Sequence, residues 1–478
     1  MKTLSRMTLA LAAAALALGG CAVTVSDPAQ IAAQAAPETW SASSLPAGEI
    51  ADFKDFWARW SDPDLVRLIE RAQSTNTDVL TAQANLRSAR ASLTAANAAL
   101  WPSFEVNGNS SRRRADHRTS TDYDAGVSGA WTFGLGGTQY WDRRAAEENA
   151  AALTLTLSDA RELVAAETAQ AYVNLRAAEA SLRVVRAMLV NYAETAQTSR
   201  WQFEAGTGSA SEAEDALVQL ASARARIPQI EHSIVEYRNA LAKLTALPVD
   251  QLGLEETGQI PTPPEGCAAL LPAQVLERRP DVRSAQHALA AAVMDLKSAK
   301  SRFFPSLSIS GSIGTQAATV SALGASGTGI ASLIGALSVP ILNWGSLIAG
   351  EEEAAAALDR AQANYVGVLL GALEETDNAL SGISHSERRQ ENLRSAVLHA
   401  RSAEMLARQE YEAGIGDYTM LLSTQRSLLS SQESELSNRA ERANNYILLY
   451  RAIGGGWAVD AAARQEAENP EPNSEEKA

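Results

Sequence analysis

The sequence contains an internal duplication, and this feature limits most strongly the folds that the chain can adopt. Short segments of the first half return in the second half in the same order, 203 positions later near the start and 208 positions later further on. The clearest pairs are Asp78-Val79 with Asp281-Val282, Pro102-Ser103 with Pro305-Ser306, and Phe203-Glu-Ala-Gly206 with Tyr411-Glu-Ala-Gly414. Solenoid repeats have about 20 to 45 residues, far fewer than this period. The sequence therefore predicts two copies of one half-molecule, over residues 61–250 and 270–457.

Each half is predicted to contain a helix, two strands, a long helix, a turn and a further helix. Residues 63–100 and 270–302 are rich in good helix formers, and each stretch stops at a proline, Pro102 or Pro305. The long helices should run to about residues 205 and 413, and the partner helices, about 210–247 and 418–452, should return antiparallel. A helix of about 60 to 68 residues would be on the order of 90–100 Å long, which suits a tube projecting into the periplasm.

Between the helices the apolar period changes to two, which predicts strands at about 103–115, 121–135, 305–315 and 329–342. Phe104 and Val106, for example, alternate with polar neighbours. Such strands could form a half-buried sheet of a soluble protein. We favour the wall of a transmembrane barrel, with apolar side chains towards lipid and polar ones towards a water-filled lumen. Because four strands cannot close a barrel and open edges are not tolerated in lipid, several subunits would have to combine.

Aromatic residues at the helix–strand junctions support the membrane interpretation. Trp101, Trp141, Phe303, Phe304 and Trp344 stand where helix and strand meet, the height of an aromatic belt at a membrane interface. Ordinary packing would explain any single one of them, but five aromatics at equivalent junctions favour the belt. No apolar run after the N-terminal segment reaches the roughly 18 residues of a membrane helix.

The first 21 residues predict a lipoprotein signal. Lys2 and Arg6 precede an apolar run that ends in Leu18-Gly-Gly-Cys21 and is too short to span a bilayer. Its end resembles a bacterial lipobox, in which removal of residues 1–20 leaves Cys21 as the lipidated N-terminus; ordinary signal cleavage beside an incidental cysteine is the alternative. We expect a tether, a linker and an acidic disordered tail at residues 21–60, 251–269 and 458–478.

Composition argues against several other classes of protein. A net charge of −15 makes nucleic acid an unfavourable partner, because binding to it depends on neutralising phosphates. The five histidines lack the spacing and the neighbouring cysteines of a metal site, so no metal and no cofactor is expected beyond the lipid on Cys21. The glycine-rich stretch at 324–329 lacks the spacing of a nucleophile elbow, and the chain has no Walker A sequence, so an enzyme is not expected.

Together these motifs resemble the TolC-like outer-membrane factors, and among them the lipoprotein efflux branch that includes NodT-type proteins. The resemblance covers about residues 55–457. It rests on the lipobox, the paired glycine turns, and the segments Leu276-Glu-Arg-Arg-Pro-Asp281, Phe304-Pro-Ser-Leu307, Val339-Pro-Ile341 and Leu449-Tyr-Arg-Ala-Ile-Gly-Gly-Gly-Trp457. It implies a mainly α fold with a membrane β-barrel: a homotrimer whose 12-stranded β-barrel continues into a periplasmic α-helical barrel.

The same resemblance implies a function as the outer-membrane exit duct of a tripartite efflux pump, which passively conducts small molecules or drugs. Its partners would be a periplasmic adaptor (a membrane fusion protein), an inner-membrane RND transporter that supplies the energy, and outer-membrane lipid. Two alternatives remain open: the exit duct of a type I protein secretion system, and a structural envelope lipoprotein that conducts nothing. The lipobox and the Arg-Arg-Pro-Asp motif favour efflux of small molecules.

Residues around the two glycine turns are the candidate gate and docking surface. The family usually places a leucine and an aspartate where this chain has Thr419 and Ser423, which puts a carboxylate ring at this level in doubt. Asp215 could supply three carboxylates instead, and Arg426 could pair with an acidic neighbour; solvated surface charges are the alternative. The candidate docking residues for the adaptor are Gly206, Gly208, Gly414, Gly416 and Tyr418.

A run of three arginines, Arg112 to Arg114, is expected at a strand tip that faces outside the cell. It would either contact the phosphates of lipopolysaccharide or belong to a solvated loop.

Overall fold

The computed structural model describes Trp40 and residues 56–115, 118–264, 275–276 and 278–455. Cys21, most of the expected tether, Cys267 and the acidic tail lie outside the described residues. The described part is mainly helical and contains a four-stranded sheet. None of its helices is both long enough and apolar enough to cross a membrane.

Both halves contain the predicted elements in the predicted order, except that the first half begins with two helices in place of one. The first half consists of α1 (Pro63–Thr75), α2 (Thr77–Ala98), β1 (Ser103–Ala115), β2 (Arg118–Gly134), α3 (Thr138–Glu204) and α4 (Ala210–Thr245). The second half consists of α5 (Pro280–Ser301), β3 (Ser306–Ala317), β4 (Gly329–Ser338), α6 (Trp344–Glu412) and α7 (Tyr418–Ala452). The long helices α3 and α6 have 67 and 69 residues.

The sheet follows chain order, β1-β2-β3-β4, and every neighbouring pair is antiparallel. Val106 lies opposite Val127, Val127 opposite Ile313, and Ile313 opposite Ala331. Each half therefore contributes one hairpin, and the pairing of β2 with β3 joins the two halves. In the described chain β1 and β4 each have one neighbouring strand, so each leaves one edge of the sheet without a partner.

The joint between the two hairpins depends on a pair of glycines. Gly126 lies directly opposite Gly314. A Cβ at Gly126 would lie 2.7 Å from the carbonyl oxygen of Ile313, and a Cβ at Gly314 would lie 2.5 Å from that of Ala125. Backbone atoms cannot yield as a flexible side chain can, so only glycine fits at this pair.

The helix predicted over residues 63–100 is in fact two helices. Asn76, between α1 and α2, has an extended ψ of 138° and is 3% exposed. Its Oδ1 accepts from the N–H of Asp78 (2.7 Å) and so caps α2. Its Nδ2 donates to the carbonyl oxygen of Leu244 (3.2 Å) in the last turn of α4. Asparagine favours such positions because its side chain competes with the backbone for hydrogen bonds.

Two strand ends differ from their predicted positions by three residues or more. β2 begins at Arg118 rather than at about 121, because the ladder with β1 continues to the pair of Arg118 with Ala115. β4 ends at Ser338 rather than at about 342. Pro340 follows it closely and has no N–H to donate to a ladder, which explains the earlier end.

The chain forms two compact units, and each contains segments of both halves. The first unit includes Ala89–Ala151 and Ala285–Val366, which comprise the sheet and the helix segments that adjoin it. The second includes Ala152–Ser284, the described residues up to Ser88 and those from Gly367 onward. The repeats are therefore units of sequence, whereas each compact unit needs both of them.

Candidate channel wall and gate

One face of the sheet is apolar, and the strand register shows which residues form it. Residues directly opposite each other share a face, as do alternate residues along one strand. The face with Phe104 also carries Val106, Val127, Trp131, Phe133, Leu307, Ile309, Ile313, Leu333 and Leu337. Phe104, Val106 and Leu333 are 77%, 82% and 81% exposed. A soluble half-buried sheet would bury this face, so its exposure indicates contact with an apolar phase.

The opposite face is polar, as the alternation predicts. It carries Ser103, Glu105, Asn107, Asp122, Asp124, Ser128, Thr132 and the serines of β3 at 306, 308, 310 and 312. The hydroxyls of Ser312 and Ser332 are 2.8 Å apart across β3 and β4. Ile330 and Ile334 depart from the pattern, because their partners Gly314 and Ser310 place them on this polar face. Their position was not predicted from the sequence.

The five predicted interface aromatics differ in exposure. Trp101, Trp344 and Phe304 are 74%, 58% and 38% exposed, whereas Trp141 and Phe303 are partly buried. The Trp344 ring lies edge-on to Phe303, with 6.2 Å between the ring centroids. The Lys297 ammonium lies 4.8 Å from the centroid of the Trp141 ring, a cation–π contact. The three exposed rings, at the helix end of the apolar face, are thus the better candidates for a membrane interface.

The two helix-tip turns have the same backbone geometry. Gly206 and Gly414 both have a φ of +74°, which favours glycine. Their N–H groups donate to the carbonyl oxygens of Phe203 and Tyr411, at 3.0 Å in both turns. Gly208 and Gly416 donate to the carbonyl oxygens of Gln202 and Glu410 at 3.0 and 2.9 Å. The paired glycines therefore allow the chain to reverse, and their N–H groups satisfy carbonyl oxygens in the last turns of α3 and α6.

Packing beneath the turns joins both halves within the second unit. Leu220, Tyr411, Tyr418, Leu421 and Leu428 belong to one buried cluster there. Tyr418, a candidate docking residue, is 6% exposed, and its hydroxyl has no hydrogen-bond partner among the described residues. Burial, and after it the negative charge of Asp215, raises the pKa of the Tyr418 phenol to about 12. Its side chain is a packing element, and the apolar side chain that the turn exposes is Ile415, at 82%.

The four candidate gate residues are exposed and lie on two helices of the second unit. Thr419, Ser423 and Arg426 share one face of α7, because they are spaced i, i+4, i+7. Arg426 donates its Nε–H to Oε1 of Gln219 (3.1 Å), one turn along α4 from Asp215, so it does not pair with Asp215 inside one chain.

The ion pair that joins α4 and α7 here is Arg226 with Glu433, at 2.5 Å. This pair was not predicted from the sequence. The two residues are 207 positions apart, so a search for opposite charges near the repeat offset could have found it.

The Arg-Arg-Pro-Asp segment forms a buried ion network in the second unit. Arg279 is 5% exposed and donates to Asp281 (2.6 Å), Glu375 (2.9 Å) and the carbonyl oxygen of Ala452 (3.0 Å). Burial, followed by the negative charge of Asp159, raises the pKa of the nearby Glu162 carboxyl to about 9. A Cβ at Gly455 would lie 2.5 Å from that carboxyl, so the backbone at Gly455 packs directly against it. The network is structural, and its partners in the described chain include none of the channel residues identified above.

An exposed apolar sheet face together with long antiparallel helices defines the class of outer-membrane channels with a helical extension. The family of outer membrane efflux proteins matches residues 68–247 and 271–455, which is more than half of the chain. The chain belongs to this family. It is 28% identical to the toluene efflux pump outer membrane protein TtgC of Pseudomonas putida, over 95% of this chain and 96% of the relative.

Solved structures agree with this assignment. The outer-membrane channel OprN is 27% identical, with a TM-score of 0.82, over 88% of this chain and 97% of that chain. The MtrE outer membrane channel of Neisseria gonorrhoeae, solved in an open state, is 28% identical, with a TM-score of 0.76, over 88% and 95%. The predicted mainly α fold of an outer-membrane channel and the predicted efflux function are thus confirmed: the protein is the outer-membrane exit duct of an efflux pump. Its location is the Gram-negative outer membrane, and its helices extend into the periplasm.

Proposed function

We propose that three copies of this chain close a 12-stranded β-barrel above a periplasmic α-helical barrel, and that this homotrimer conducts without doing chemistry. One observation carries the proposal: the sheet exposes an apolar face and leaves both β1 and β4 with a free edge in the described chain. An open edge in hydrocarbon costs several kcal/mol per unsatisfied group. Pairing β1 of one copy with β4 of the next is antiparallel and removes every edge at once.

Neighbouring residues on opposite faces test this barrel. Val106 lies on the apolar face and Asn107 on the polar face of β1. Arginine facing lipid costs about 2–4 kcal/mol, and three copies repeat that cost. We expect Val106→Arg to reduce heat-modifiable trimers in outer membranes at least tenfold, whereas the matched control Asn107→Arg should leave trimers and bilayer conductance intact. Equal losses in both variants, or a monomeric wild type, would overturn the proposal.

The gate proposal concerns the exposed stripe of Asp215, Thr419, Ser423 and Arg426. Because Asp215 and Arg426 do not pair inside one chain, we infer that they meet charges of neighbouring copies at the narrow end. Replacing both by alanine should raise the resting conductance in planar bilayers. The exposed pair of Arg200 with Glu204 (3.0 Å), near the end of α3, is the matched control. If the double variant stays closed and has the same resting conductance as this control, Asp215 and Arg426 do not stabilise the closed gate.

The helix-tip turns would dock a periplasmic adaptor, itself coupled to an inner-membrane RND transporter. Membership of an efflux family supports partners of this kind. The glycines at 206, 208, 414 and 416 form the turns, and the exposed side chain of Ile415 would contact the adaptor. A photo-crosslinker at position 415 should capture the co-expressed adaptor, whereas one at Val190, which is also exposed, should not. Capture from both positions, or from neither, would contradict docking at the turns.

The N-terminus would be anchored by lipid on Cys21, as the lipobox indicates. Metabolic labelling with palmitate should mark the wild type and fail with Cys21→Ser. Because the barrel alone would hold the protein in the membrane, we expect the variant to remain in the outer membrane once its signal has been replaced by a cleavable one. Labelling of Cys21→Ser would exclude this residue as the acceptor.

A further inference from the structure

The three arginines of β1 do not share a face. Arg112 lies opposite Thr121 and Arg114 opposite Thr119, so both lie on the face that carries Phe104 and Val106. Arg113 lies opposite Ser120 and belongs to the polar face. All three side chains are exposed. The register therefore separates two arginines that would face the membrane side of a barrel from one that would face its lumen.

The height of the two outward arginines agrees with the edge of a bilayer. Ten residues of β2 separate Phe133, at the helix end of the apolar face, from Tyr123. At about 3.4 Å per residue and a tilt of about 40°, this corresponds to roughly 25 Å, the usual height of the apolar band of a membrane barrel. Tyr123 would then stand at the outer interface. The next residues on this face are Thr121 with Arg112 and Thr119 with Arg114.

The charges around the two faces also differ. On the outward face the described residues near the arginines are Ser110, Thr119, Thr121 and Tyr123, which carry no carboxylate. On the polar face, Arg113 shares its end of the hairpin with Asp122 and Asp124. Among the described residues, two guanidinium groups share this face with hydroxyl donors and with no carboxylate, which favours an anion that comes from outside the protein. Guanidinium binds phosphate through paired hydrogen bonds.

We propose that Arg112 and Arg114, with the hydroxyls of Thr119 and Thr121, bind a phosphate group of lipid A in the outer leaflet. The proposal rests on the barrel described above. The helices join the opposite end of this sheet and extend into the periplasm, so the arginines lie at the external side. The outer leaflet there consists mainly of lipopolysaccharide, whose lipid A phosphates lie at the border between headgroup and hydrocarbon. The anionic lipid at this height is therefore lipopolysaccharide rather than a phospholipid.

The test compares Arg112→Ala/Arg114→Ala with the matched control Arg113→Ala in the full-length protein purified in mild detergent. The measurement is the binding of bisphosphorylated lipid A, of fully dephosphorylated lipid A and of phosphatidylglycerol by native mass spectrometry. Each outward arginine should contribute about fivefold to lipid A affinity, so the double variant should lose at least tenfold and Arg113→Ala less than twofold. The wild type should bind dephosphorylated lipid A and phosphatidylglycerol at least tenfold more weakly.

Three results would overturn the inference: equal losses in both variants, equal binding of dephosphorylated lipid A, or equal binding of phosphatidylglycerol, which would indicate a general anionic-lipid surface. Trimer content and bilayer conductance are measured on the same samples. If wild-type trimers or conductance are missing, the proposed barrel itself fails. If both are intact while lipid A binding is unchanged in the double variant, the lipid A site alone fails.

Discussion

In each half, the residue just before the helix that leads into the first strand, α2 or α5, contacts the end of the last helix, but the two halves use different side chains. In the first half, Nδ2 of Asn76 donates to the carbonyl oxygen of Leu244. In the second half, Nη1 of Arg279 donates to the carbonyl oxygen of Ala452. Asn76 and Arg279 are 203 positions apart, and Leu244 and Ala452 are 208 apart, which are the two offsets of the duplication. The same contact therefore exists twice.

The two halves therefore share the position at which a backbone carbonyl needs a donor, but a different side chain supplies that donor in each half. Asn76 is neutral and satisfies its amide with two backbone groups. Arg279 brings a charge into a buried site, so it also needs Asp281 and Glu375. A buried charge that loses its partner is costly, whereas the loss of a neutral amide costs less. We expect the two halves to respond unequally when this contact is removed.

The largest effect is expected for Arg279→Ala. The substitution removes the buried guanidinium shared by Asp281 and Glu375, whose side chains are 25% and 43% exposed, and Glu375 keeps Arg451 at 3.5 Å. The free energy of unfolding should therefore fall by about 2–4 kcal/mol. Arg278→Ala is the matched control, because Arg278 is the adjacent arginine and its side chain is exposed. This substitution should lower the free energy of unfolding by less than about 0.5 kcal/mol. Urea unfolding of the solubilised protein, followed by circular dichroism, measures both. Similar values for the two variants would show that the ion network contributes no stability.

A smaller loss is expected for Asn76→Ala. This variant removes the cap of α2 and leaves the carbonyl oxygen of Leu244 without its side-chain donor, at a cost of about 1–3 kcal/mol. Ser74→Ala is the control, because its exposed hydroxyl donates to the carbonyl oxygen of Arg71, one turn earlier in the same helix. The same unfolding experiment applies. If Asn76→Ala costs as much as Arg279→Ala, the contrast between a neutral and a charged contact is wrong.

Replacing the positive-φ glycine of each helix-tip turn should cost the same stability in the two halves. Gly206→Ala and Gly414→Ala each place a Cβ on a residue with a φ of +74°, and neither Cβ would contact another atom within 4 Å. The cost is therefore backbone strain alone, about 1–2 kcal/mol in each turn. Thermal unfolding or proteolysis at the tips measures it. A difference of more than about 1 kcal/mol between the two variants would show that the turns are not energetically equivalent.

The effect of Glu162→Gln depends on pH. The folded pKa of about 9 lies above the ordinary value of 4.5, so between these values the unfolded chain loses a proton that the folded chain keeps. This carboxyl therefore lowers stability as pH rises through that window, and glutamine removes the effect. Glu162→Gln should be more stable than the wild type by at least about 1 kcal/mol at pH 8 and nearly equal at pH 4.

The control for this variant is Glu167→Gln, an exposed carboxyl on the same helix, measured at both pH values. The position equivalent to Glu162 in the second half is Leu370, which cannot ionise. The contribution of Glu162 to the pH dependence therefore has no equivalent at position 370. A gain in stability that is the same at pH 4 and pH 8 would assign the effect to packing instead of ionisation.

Much of the fold could be predicted from the residue pattern. The period of two placed Phe104 and Val106 on the correct face, because neighbouring side chains of a strand must point to opposite sides. The glycines at 206 and 414 predicted both turns, since a φ of +74° excludes most other residues. Local rules of this kind depend only on nearby residues and need no knowledge of the rest of the fold.

Other features depend on residues far apart in the chain. The break at Asn76 required a carbonyl acceptor 168 positions away, and the sequence pattern alone continued the helix through it. The contact of Arg426 with Gln219 was missed for the same reason, because it depends on the rotation of α7 against α4. Tyr418 was expected at a surface, and the packing of four helix ends buried it.

By itself the sequence determined the duplication, the order of helices and strands and the apolar face of each strand, because these follow from local periodicity. Only the tertiary structure decided which residues lie opposite Arg112 and Arg114 across the hairpin, which donor satisfies Leu244 or Ala452, and which charges meet. The physical reason is that strand register and ion pairing depend on the relative positions of separate elements, and a backbone carbonyl oxygen accepts a hydrogen bond from any donor that reaches it.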